Sequence, residues 1–172
     1  MTYNEIKKSL AYKSDRGCCT VVASSIALGV PFEEMQSYFF EHGRKRNRGY
    51  HYNFIIDKLS RDYNCKINSI YKSKYNDNNY IYCDSGEVFL QGVSLTPNNC
   101  KNYLSNGTYV LGTSGHVLAV KDGVVEDWTI GRKQRVTRIW EFIKKDEDKN
   151  VKNLTFKESL FGTKIKFNFN KR

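Results

Sequence analysis

The chain has 172 residues, of which 40% are hydrophobic and 14% aromatic, enough to bury the core of one domain and too apolar for a disordered segment. No apolar run approaches the roughly eighteen residues that a membrane span needs, and residues 1–8 lack the apolar core of a signal peptide, so a cytoplasmic protein without a membrane partner is expected. Lysine and arginine number 28 against 18 acidic residues, a net charge of +10 with a pI near 9.3, which favours an acidic protein or peptide as partner, with nucleic acid as the weaker alternative. Five cysteines, at 18, 19, 65, 83 and 100, form no CxxC pair and no cluster with histidine, so the sequence points to reduced thiols and to neither a metal site nor a cofactor.

Taken in order, residues 4–13 read as a short leading helix or arm. The run from Cys19 to Leu28 is small and apolar all round, with Gly29 to stop it and Pro31 to restart the chain; this predicts a buried helix, then a second one carrying Phe32, Met35 and Phe39 on one face. Glu33 and Glu34 sit in the first turn of that second helix, where negative charge suits the dipole. A basic loop follows over 42–52, then a third helix over 52–63 with Ile55 and Leu59 inward, and a strand over 66–71. The stretch 72–79 is rich in lysine and asparagine and reads as an exposed loop, while 80–93 holds short apolar runs with no clear period. Thr96 and Pro97 look like the cap and first residue of a brief helix reaching Leu104. Strands are expected over 108–111, 116–121 and 124–128, the last two joined by Asp122-Gly123, a strong hairpin signal. Residues 135–143, with Val136, Ile139 and Trp140, fit a strand or a helix. A charged extension runs from 144 to 172, with an alternating edge-strand pattern at 163–169. No repeat or linker divides the chain, so a single domain over 1–172 with its core at about 15–140 is expected.

Two parts of this plan carry chemistry. Asp15-Arg16-Gly17 is a turn that leaves Cys19 at a helix start, where free N–H groups and the positive dipole end favour a thiolate. Far downstream, His116 opens one strand of the hairpin and Asp127 closes the next. Cysteine, histidine and a carboxylate in this order suit acyl transfer: the thiolate attacks a carbonyl, the histidine moves the proton, and the third group orients the imidazole. Pairing 121 with 124 places 129 opposite 116, so strand parity favours Thr129 over Asp127 as the histidine's neighbour unless the strand is interrupted. The ordinary alternative is that Cys19 is a core thiol. Cys65, Cys83 and Cys100 read as plain thiols, and His42 and His51 as solvated loop residues.

The segments Cys19-Thr-Val-Val-Ala-Ser-Ser-Ile-Ala-Leu-Gly-Val-Pro-Phe-Glu-Glu34, Gly43-Arg-Lys45 with Gly49 beyond it, and Gly107-Thr-Tyr-Val to Asp127-Trp128 resemble the small papain-like cysteine peptidases of bacteriophages and bacteria. The likeness covers about 15–140 and is strongest around the histidine. It implies an α+β papain-like fold with N-terminal helices packed on a C-terminal antiparallel sheet. It also implies a cysteine-dependent hydrolase of peptide, isopeptide or related amide bonds, in the bacterial cytoplasm if phage-encoded. The family's nucleophile falls on Cys19 rather than Cys18, its histidine on His116 and its acid on Asp127. Its loop at Gly43-Arg44-Lys45 implies that Arg44, Lys45 and Arg46, with Trp128, meet an acidic substrate. One departure stands out: papain-type enzymes carry a glutamine before the cysteine as an oxyanion donor, and this chain has none, leaving the Cys19 backbone N–H with Tyr12 or Ser14 as candidates. The alternative is a catalytically idle binding protein of a phage on the same fold, docking an acidic host protein or nucleic acid through its basic loop.

Overall fold

The computed structural model describes residues 1–72, 81–83, 88–90 and 95–145. These form a mixed helical and antiparallel α+β fold with the helices leading. Helices α1 (Tyr3–Ile6), α2 (Leu10–Lys13), α3 (Cys19–Leu28), α4 (Phe32–Glu41) and α5 (Ile56–Asp62) precede strand β1 (Cys65–Lys72). Strands β2 (Ile81–Cys83), β3 (Val88–Leu90), β4 (Thr108–Thr113), β5 (His116–Lys121), β6 (Val124–Glu126) and β7 (Arg138–Lys144) complete one sheet, ordered β3-β2-β1-β7-β4-β5-β6.

The reason α3 is central lies in its composition. With no charged residue in ten, every position from Thr20 to Ile26 is buried, and the helix ends on Gly29, whose left-handed φ of 73° glycine adopts without a Cβ penalty. Chain direction then reverses through Pro31 into α4, which buries Phe32, Met35 and Phe39 at the expected spacing. Each such side chain contributes about 1.5–3 kcal/mol when fully removed from water. Strand alternation divides the remaining core in two. Val110, Ala119, Trp140 and Phe142 face the helices, whereas Tyr109, Leu111, Leu118, Val120 and Ile139 face the segment that holds Leu95, Cys100 and Leu104.

Several expected boundaries shift. The leading helix is two short ones, split where Ser9 caps α2 by accepting from the Tyr12 N–H. The third helix begins as a 3-10 turn over Tyr52–Phe54 before α5. The brief helix after Pro97 is a single 3-10 turn, Cys100–Asn102, with Asn99 rather than Thr96 at its N-cap position; the Asn99 side chain makes no cap bond and instead accepts the Thr96 N–H at 2.7 Å. Residues 138–144 resolve as strand, because alternate side chains serve the two cores. Residues 146–172, with the expected edge strand at 163–169, lie outside the described residues, as does most of the stretch 72–79. Among the described residues no helix is long and apolar enough to cross a membrane.

Candidate functional site

The start of α3 is held by a buried carboxylate. Asp15 accepts two hydrogen bonds from the Arg44 guanidinium, at 2.6 and 3.0 Å, one from Gln36 at 2.7 Å and one from the Asn47 backbone N–H at 2.8 Å. The Arg16 N–H in turn donates to Asn47 Oδ1 at 2.8 Å. Burial alone raises a carboxyl's pKa, but these donors reverse it and hold Asp15 below the usual carboxylate range. The loop thus clamped lies so close that a Cβ on Gly17 would meet the Gly49 nitrogen at 3.1 Å, and Gly17 also has a left-handed φ of 70°. The two backbones fix where the next residues, Cys18 and Cys19, project.

On the sheet side, Ser114-Gly115 turns the chain from β4 into β5 and presents His116, paired with Thr113, at the strand's first position. Asp122 and Gly123 turn it again, both with positive φ, and β6 pairs as expected with 121 opposite 124. Here strand parity misleads. Strand β6 ends at Glu126 instead of running to Trp128, and the chain bends at Asp127, so its carboxylate swings round to the imidazole. His116 Nε2 donates to Asp127 Oδ2 at 2.9 Å. Thr129 joins the same arrangement one step back: its hydroxyl and backbone N–H donate to that oxygen at 2.7 and 3.0 Å.

With Nε2 engaged by Asp127, Nδ1 is the ring nitrogen left for Cys19, and thiol and imidazole border the same two grooves, close enough to shift each other's pKa. Burial pushes the Cys19 thiol up. The His116 ring and the backbone N–H groups of Val117 and Thr20 outweigh this and bring it below its ordinary value. Burial likewise works against the His116 cation, but Asp127 and Cys19 raise its pKa to about 9. A thiol pulled down beside an imidazole pulled up shifts the pair toward thiolate and imidazolium. Cys18 next door behaves oppositely: burial, with the Asp15 charge adding, pushes it up to about 11.

Two grooves meet at this pair. One, of about 400 Å³, is walled by Gly49 to Asn53, floored by Trp140 and bordered by Thr113, Thr137 and Arg138. The other, of about 470 Å³, is bordered by Tyr3, Tyr12, Lys13, Arg16 and Trp128. Cys19, Gly115 and His116 line both. Trp128, 52% exposed, packs its ring 5.2 Å from His116, with the Arg132 guanidinium 4.2 Å above the indole. A third concavity, about 470 Å³, lies at the other end of α3 near Gly29 and Lys121 and contains neither Cys19 nor His116.

The structure therefore brings Cys19, His116, Asp127 and Trp128 together. It corrects the expectation for Arg44, which is 3% exposed and spent on Asp15 rather than facing a substrate. Lys45 and Arg46 are exposed but line neither groove, and Arg46 donates to Ser14 Oγ at 2.8 Å. Ser14, whose hydroxyl also donates to the Ala11 carbonyl at 3.0 Å, lines neither groove. Tyr12 does line the second groove, its hydroxyl 3.0 Å from that of Tyr3, while the Tyr3 backbone N–H donates to Glu126 at 2.7 Å and so ties the leading arm to β6. Sequence reasoning missed Asp15, Arg132 and Arg138. The Asp-Arg-Gly turn signals a sharp bend before Cys19, yet nothing in it shows that its aspartate is paired with Arg44. Cys65 and Cys100 are buried free thiols, and no cluster able to hold a metal occurs among the described residues. Comparison with protein-family models, curated proteins and solved structures returns no match.

Proposed function

We propose that this protein is a cysteine-dependent hydrolase of peptide, isopeptide or related amide bonds, working in a papain-like arrangement of helices against an antiparallel sheet. The observation that carries the reading is the placement of Cys19 beside a His116 ring that is itself hydrogen-bonded to Asp127, where two grooves meet. The Cys19 thiolate attacks the carbonyl carbon of the scissile amide, and the electron pair of the C=O bond moves to oxygen. The Cys19 backbone N–H, one of the first-turn donors of α3 with no intrahelical partner, is available to that oxyanion. As the tetrahedral centre collapses, the His116 imidazolium gives its proton to the departing amine and a thioester remains. Water, deprotonated by the now neutral His116, attacks the thioester, and the acid leaves with the thiolate and imidazolium restored. Asp127 keeps the ring turned toward sulfur throughout, and Thr129 keeps Asp127 in place.

An alkylation experiment tests the reading. At pH 6.5, iodoacetamide is expected to modify Cys19 ahead of Cys18, Cys65 and Cys100, with the fast-reacting site missing in Cys19→Ala. Equal labelling of the wild type and Cys19→Ala would refute it.

A further inference from the structure

The groove walled by Gly49 to Asn53 has a sign as well as a shape. None of its described lining residues is an aspartate or glutamate; its basic residues are Arg138, His51 and His116. Arg138 opens β7 and pairs with Gly112 on β4, whose neighbour Thr113 pairs with His116 on β5. Arg138 is therefore two strands across from the imidazole at the same end of the sheet. Strands lie about 4.8 Å apart, so its Cα is roughly 10 Å from that of His116, about the reach of a substrate residue or two.

Alternation along β7 puts Arg138 on the face of Trp140, the face that α3 covers further along. Gly112 makes room for both: a Cβ there would meet the Trp140 ring at 3.2 Å and the Arg138 Cβ at 3.4 Å. The indole, packed 4.8 Å from the Tyr52 ring, thus forms an apolar floor beside a guanidinium. Among the described residues the ion pairs involve Met1, Arg44 and His116, so Arg138 has no carboxylate partner there. Arg138 is exposed along the rim of the groove, open to an incoming segment, and its planar fork matches a carboxylate in two parallel hydrogen bonds. Asn53, Thr113 and Thr137 add polar groups along the same groove.

We propose that Arg138 is a specificity residue, which selects a glutamate or aspartate side chain in the substrate segment occupying this groove. This rests on the hydrolase reading and narrows its substrate class to acidic sequences near the cleaved bond. The test uses the full chain and peptidyl vinyl sulfones carrying glutamate, glutamine or lysine in the two positions before the electrophile. Each Cys19 labelling rate is divided by the iodoacetamide rate of the same variant, which removes differences in thiolate content. The glutamyl probe is expected to outrun the glutaminyl one by about threefold to fivefold, the upper range for an exposed ion pair, with lysine slower still. Arg138→Gln is expected to level the three probes and Arg138→Glu to favour lysine. Equal rates for all probes on the wild type, or a glutamyl preference that survives Arg138→Gln, overturn the specificity role alone. A Cys19 inert to iodoacetamide overturns the hydrolase reading and this inference with it.

Discussion

The helical and sheet sides of the site are each pinned by one buried aspartate, and the two are built differently. Asp15 faces Arg44, a cation at every relevant pH, with both side chains inaccessible to solvent. Asp127 faces His116, whose charge comes and goes within a few pH units. One carboxylate has a permanent partner and two further donors, so it locks a loop onto the turn before Cys19. The other shares a single oxygen between Thr129 and a titrating ring, so it orients without freezing the proton. A buried ion pair with a fixed charge serves geometry, and one with a titratable partner serves chemistry.

Three single substitutions and one double one sharpen that contrast. Asp127→Asn keeps the shape but removes the charge that holds up the His116 pKa, and kcat is expected to fall by about 10²-fold or more while the melting temperature hardly moves. The pH profile gives the sign. The proposed hydrolysis needs thiolate and imidazolium together, so any such activity is expected to rise as pH climbs through the lowered Cys19 pKa and to fall as it passes about 9, where His116 loses its proton. In Asp127→Asn the alkaline limb is expected to move to lower pH, measurable as kcat/KM against pH; an unmoved limb would assign the raised value to something other than Asp127. Arg44→Met leaves Asp15 charged, buried and unpaired, and is expected to remove about 3–5 kcal/mol of stability by chemical denaturation. Replacing both partners, as Asp15→Leu with Arg44→Met, should recover much of that loss, because the penalty lies in the unpaired charge. Thr129→Val deletes one donor to Asp127 and is expected to raise the activation barrier by about 1 kcal/mol, a severalfold drop in kcat.

Much of this site could be read from local sequence. The apolar run closed by Gly29 and Pro31 announced α3, and Asp122-Gly123 set the register of the hairpin. What failed was the step that local pattern does not determine. Alternation assumes that a strand continues, and β6 stops at Glu126, so the argument for Thr129 found the right residue in the wrong role. The pairing of Asp15 with Arg44 joins positions 29 apart through a loop whose basic composition reads as solvated. Nothing short of the packed structure distinguishes the one buried arginine from its exposed neighbours. Arg138 was hidden because residues 135–143 suit a strand or a helix, and only the pairing with Gly112 assigns its face.

The sheet order has a consequence in time. Strand β7 is last in sequence among the described strands, yet it occupies the middle of the sheet, between β1 and β4. Before it arrives, β1 to β3 and β4 to β6 are two separate blocks with no ladder between them. A nascent chain therefore has its thiol and its histidine before it has the strand that seals the sheet, and its two half-sheets wait with open edges until residues 138–144 are synthesised. The same strand delivers Trp140 and Arg138, so the floor of one groove arrives after the cysteine and the histidine that border it.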